Sequence, residues 1–98
     1  MKEIRLNGAR MVDKATTHDY LKRKLALTDY YGKNLDALWD CLSTDLSEKI
    51  IIINKPDAII NNLGSYGESL IHLFLEVAQM NEFIKVEIEN ENNVDERR

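Results

Sequence analysis

The run Lys49-Ile50-Ile51-Ile52-Ile53-Asn54 constrains the fold more than any other stretch of this chain. Four consecutive β-branched side chains favour extended backbone. The absence of polar alternation marks a strand covered on both faces, as at the centre of a parallel sheet. Parallel neighbours require crossover connections, so further strands must be separated from this one by helices. Two segments qualify. Residues 2–6 alternate, with Ile4 and Leu6 set among Lys2, Glu3 and Arg5, and end at the turn dipeptide Asn7-Gly8. Residues 83–88 place Ile84, Val86 and Ile88 on one face and Phe83, Lys85 and Glu87 on the other. The expected class is α/β, a small three-stranded parallel sheet packed with about four helices.

The intervening sequence supplies those helices. Thr17 is positioned to cap a helix over 18–27 with Tyr20, Leu21, Leu25 and Leu27 at helical spacing, Lys22, Arg23 and Lys24 lying on its wet side. Asn34 offers the cap of a second helix over 35–45, whose Leu35, Leu38 and Leu42 form a core stripe. Asp36, Trp39, Asp40 and Ser43 share its other face. Pro56 suits the first turn of a third helix that stops near Gly64. The longest helix, over 68–80, has Leu70, Ile71, Leu73, Phe74, Val77 and Ala78 on its apolar side and Glu68, His72, Glu76 and Gln79 opposite. From Glu89 onward the sequence ENENNVDERR is nearly devoid of apolar residues. The folded domain is therefore placed at 1–89 and residues 90–98 are read as a mobile polar tail.

Composition narrows the function. Ninety-eight residues suit a single core, and four Gly with one Pro are too few for an all-β sandwich. Seventeen acidic against thirteen basic side chains give a net charge of -4, which opposes general polyphosphate binding and is compatible with a cationic partner. Cys41 is the sole cysteine, which excludes an intramolecular disulfide and a multi-cysteine zinc site and suits a reducing compartment. No apolar run approaches the roughly 20 residues of a membrane span, and residues 1–10 lack a signal-like apolar stretch, so a cytoplasmic location is expected.

Catalytic chemistry finds little support. There is no Gly-rich phosphate loop and no nucleophile elbow. Cys41 reads as a half-buried filler in mid-helix, and His18 and His72 read as solvated side chains without metal-ligand spacing. Asp57 follows the central strand, where open sheets place ligands, but lacks companion carboxylates and reads as an acid complementing a helix dipole. Lys22-Arg23-Lys24, the only basic cluster, reads as a solvated helix face. No enzyme activity, cofactor, metal or direct nucleic-acid contact is expected.

What remains is Tyr30, Tyr31, Gly32, Asn34, Asp36, Trp39 and Asp40. Asp36 and Asp40 are like charges at i and i+4, which mildly destabilises a helix, and Trp39 holds an amphipathic ring beside them. On residues alone two readings stay open. The group is either an interface anchor for a cationic partner, or a half-buried tryptophan among ordinary surface acids.

The thirteen residues Tyr30-Tyr31-Gly32-Lys33-Asn34-Leu35-Asp36-Ala37-Leu38-Trp39-Asp40-Cys41-Leu42 strongly resemble the signature of the barstar family of bacterial ribonuclease inhibitors. Leu25-Ala26-Leu27, Glu68-Ser69-Leu70 and Phe74-Leu75-Glu76 are similar too. The resemblance implies an intracellular monomer that forms a 1:1 complex with a barnase-like, secreted, guanyl-specific ribonuclease and plugs its active site. It implies that Asp40 enters the phosphate site and Asp36 pairs with a neighbouring arginine. Tyr30 would pack on the catalytic histidine, Trp39 and Gly32 would supply contact surface, Asn34 and Ser43 would lie at the margin, and Glu76 would be a further acidic contact. Lys33, Thr44 and Asp45 depart from the best-known member, where an acid, a glycine and a second interface tryptophan stand, and a second cysteine is lacking. These departures leave open a barstar-like module that binds a different toxin or regulatory protein.

Overall fold

The computed structural model describes residues 2–90. The isoleucine run forms β2 (Lys49–Asn54), flanked in parallel by β1 (Lys2–Asn7) and β3 (Ile84–Glu89). Between the first two strands lie a single 3-10 turn at Gly8–Arg10, α1 (Lys14–Lys24) and α2 (Leu35–Ser43). Between the second and third lie α3 (Pro56–Leu63) and α4 (Ser65–Met80). The architecture is the expected α/β one, a three-stranded parallel sheet with four α-helices among the described residues.

Register aligns Ile4, Ile51 and Val86 in one row and Leu6, Ile53 and Ile88 in the next. The first two members of each row are buried in a core completed by Leu21, Leu38, Leu42, Leu70, Phe74 and Val77 from the helices. Each such fully buried aliphatic or aromatic side chain contributes about 1.5–3 kcal/mol by leaving water. The opposite face carries Glu3, Arg5, Lys85 and Glu87, all exposed, around Ile50 and Ile52. Ile52 is buried as the unbroken run requires, yet its register neighbours are Arg5 and Glu87, and it lies outside the helix-packed core. Arg5, whose apolar stem shields surface while its head stays wet, is held by Glu89 at 3.0 Å.

Several boundaries differ from expectation. The first helix begins four residues earlier than 18, because Asp13, not Thr17, caps it by accepting from Thr16 N at 2.7 Å. It ends at Lys24, before Leu27. The second helix stops at Ser43, short of 45, and the fourth begins at Ser65. Glu89, assigned above to the polar stretch, ends β3, where its carboxylate accepts from both Arg5 and Asn54. Residues 91–98 of the expected tail lie outside the described residues. Gly67 lets α4 run against α3, since a Cβ there would sit 2.5 Å from the Ile59 carbonyl oxygen. Among the described residues no helix is long and apolar enough to cross a membrane.

Candidate functional site

The site begins with a cap. Asn34 Oδ1 accepts from Ala37 N at 2.8 Å while its Nδ2 donates to Gly32 O at 3.2 Å, so one side chain starts α2 and fixes the preceding loop. Leu38 and Leu42 then bury the inner stripe, and Leu35 packs half-buried against the same core. That orientation leaves Asp36 and Asp40 exposed one turn apart, with Trp39 and Ser43 half-buried. Among the described residues neither carboxylate has an ion-pair partner. Asp36 lies in the first turn, where the helix dipole favours it, but Asp40 lies beyond that relief.

At the other end of the helix, buried Asn81 donates to the carbonyls of Leu42 and Asp45 at 2.9 and 2.8 Å and accepts from Phe83 N at 2.9 Å. It satisfies carbonyls that a helix terminus leaves open and ties α2 to the segment after α4. Between these two helices runs a groove lined by Leu35, Asp36 and Trp39 on one side and Glu68, His72, Leu73 and Glu76 on the other. Asp36, Trp39 and Glu76 therefore share one depression. Asp40 does not line it, and Ser43 lines a separate depression with Leu46, Met80 and Phe83.

The loop before α2 presents Tyr30, which is 96% exposed, and withdraws Tyr31, which is 6% exposed. Tyr31 Oη lies 2.5 Å from His18 Nδ1, and Tyr66 Oη lies 2.6 Å from His18 Nε2. Neutral imidazole has one donating and one accepting nitrogen, and each hydroxyl takes the complementary part. Burial lowers the His18 pKa, with Asp19 opposing, and burial pushes the phenols of Tyr31 and Tyr66 up. The expectation of a solvated His18 is therefore corrected: it is 1% exposed. Its burial had a signal, because Thr17, Leu21 and Leu25 recur at four-residue spacing and His18 stands beside Thr17 on that stripe.

Gly32 is exposed, and a Cβ on it would come within 3.3 Å of Ala37 Cβ and 3.4 Å of Asn34 Nδ2, crowding the cap. Lys33 adopts φ 56°, uncommon for a residue with a Cβ, and its ammonium lies 2.9 Å from Asp19 Oδ1. That hydrogen bond, with the lysine charge behind it, holds the Asp19 carboxyl below the usual range. Asp45 is half-buried and serves the fold, accepting from Ser47 N at 2.8 Å, Ser47 Oγ at 2.6 Å and the ammonium of buried Lys49. Burial alone would raise its carboxyl, but the bonds from Lys49 and Ser47 outweigh that and lower it. Cys41 packs half-buried against the core, and Asp57 is exposed in the first turn of α3. His72 is exposed, with Nε2 3.2 Å from Glu76 Oε2.

Comparison with known proteins identifies the family. The family model described as "Barstar (barnase inhibitor)" matches residues 1–91. A Bacillus subtilis (strain 168) protein named "Putative ribonuclease inhibitor YrdF" is 36% identical over 80 residues, covering 81% of this chain and 88% of the relative. On both counts, the chain belongs to the barstar family.

Proposed function

We propose that this protein is an intracellular inhibitor that blocks the active site of a secreted barnase-like ribonuclease, forming a 1:1 complex and performing no chemistry. The observation that carries the reading is the pair of exposed carboxylates on α2, without ion-pair partners among the described residues, with Trp39 between them and Glu76 across the groove. A ribonuclease must gather cationic side chains around the scissile phosphate, and carboxylates placed where phosphate oxygens would sit form charge-assisted hydrogen bonds with them. Asp40 is assigned the phosphate site and Asp36 a flanking cation, with Glu76 as a third acidic contact. Tyr30 supplies an exposed ring for the enzyme's catalytic histidine, Trp39 and Gly32 supply contact surface, and Asn34 and Ser43 stand at the margin. A secreted nuclease is a hazard to the RNA of the cell that makes it, which places the inhibitor in the cytoplasm.

The test mixes equimolar protein with barnase and follows RNA cleavage. Cleavage is expected to stop, with an association rate that falls as salt screens the opposing charges. Undiminished cleavage at micromolar concentrations of both proteins overturns the reading for that enzyme.

A further inference from the structure

The groove between α2 and α4 contains one imidazole, His72, that the docking role does not use. His72 sits one turn before Glu76 on the exposed side of α4, with Nε2 3.2 Å from Glu76 Oε2. Across the groove lie Asp36 and Trp39, and Glu68 lines the same wall as His72. The second depression touching the imidazole is lined by Ile60 of α3 and by Glu68, Ile71 and Leu75. Every other charged side chain lining these two depressions is a carboxylate: Asp36, Glu68 and Glu76.

Building on the inhibitor reading above, we propose that His72 is a specificity residue whose proton controls the access of a partner's cation to Glu76. With a neutral imidazole, the three carboxylates offer their full charge to an incoming guanidinium or ammonium group. With an imidazolium, Glu76 is already paired inside the molecule, and a positive charge stands beside the path that the partner's cation must take. Imidazole is the side chain that ordinarily changes charge between pH 5 and 8. One surface therefore meets a cationic target with two different charges, the less acidic one at lower pH. Reciprocity follows: if the proton weakens the partner's binding, the partner's binding expels the proton. Both side chains are largely exposed, at 72% and 52%, so solvent screening keeps the effect to about two- to fivefold in Kd.

The experiment measures barnase binding by calorimetry at pH 6 and pH 8 for the wild-type protein, His72→Gln and His72→Lys. The weakening from pH 8 to pH 6 is expected to be about two- to fivefold larger for wild type than for His72→Gln. His72→Lys, permanently charged, is expected to bind more weakly than His72→Gln at both pH values and to share its pH dependence. Identical pH dependence in wild type and His72→Gln overturns the proposal while the inhibitor reading stands. No binding by any of the three at either pH overturns that reading and the proposal together.

Discussion

Asp36 and Asp40 on one side, and Asp45 on the other, are aspartates within ten residues of chain that the structure treats in opposite ways. Asp45 accepts from Ser47 and from the ammonium of Lys49, which would otherwise be a buried charge without a counter-ion at the start of β2. Asp36 and Asp40 stand in water without ion pairs among the described residues, at a spacing that works against their own helix. A carboxylate with its partners in place serves the fold. One held exposed on a rigid helix is available to another molecule, and its cost to the helix needs an explanation outside the fold.

The comparison is broken or sharpened by separating binding from stability. Asp40→Ala carries the largest expected effect: a loss of about 3–5 kcal/mol in binding to barnase, because the enzyme's desolvated cations are left without a counter-charge. That corresponds to more than a hundredfold in Kd by calorimetry. The same substitution is expected to raise the unfolding free energy by about 0.2–0.5 kcal/mol, since the repulsion from Asp36 is relieved. A drop in urea midpoint instead would make Asp40 a fold residue. Asp45→Asn should do the reverse, costing about 2–3 kcal/mol of folding stability in urea titration by leaving Lys49 poorly compensated, with barnase affinity of the folded protein unchanged. Adding Lys49→Met should recover most of that loss, because an apolar side chain suits the site that the lysine occupies.

The pH dependence of folding is the smallest effect. Burial depresses His18 below the ordinary imidazole value of about 6.5. The stability linked to its neutral form is therefore complete above that value and lost as pH falls through the folded pKa. Asp45, also depressed, gives up its contribution lower, below about pH 4. Urea midpoints measured from pH 7 to pH 5 should fall for wild type and be flatter for His18→Gln. Equal slopes would remove His18 from the account.

The sheet and the outward face of α2 were legible because each rests on a local pattern. The isoleucine run reads as a buried strand, Asn34 as a cap, and the Leu38 and Leu42 stripe fixes which residues face out. The rest depends on contacts between distant residues. The stripe of Thr17, Leu21 and Leu25 hints at a buried His18, but only Tyr31 and Tyr66, far along the chain, supply the partners that make burying an imidazole acceptable. Glu89 looks like tail until Arg5 and Asn54 supply its partners. Of the proposed contact residues, the α2 members share one helix face by spacing alone, whereas the position of Glu76 across the groove requires the packing of α4 against α2.

The two adjacent tyrosines have a thermodynamic consequence. Tyr31 is clamped through His18 to Tyr66, and the neighbouring Tyr30 is thereby presented on backbone already tied down on both sides, by that clamp and by the Asn34 cap. A loop ordered in the free protein has little conformational entropy left to lose on docking, a loss that otherwise runs to about 1–2 kcal/mol for each residue fixed. On the proposed docking, the buried tyrosine would raise affinity without touching the partner, and calorimetry with barnase is expected to show a less favourable binding entropy for Tyr31→Phe with every intermolecular contact intact.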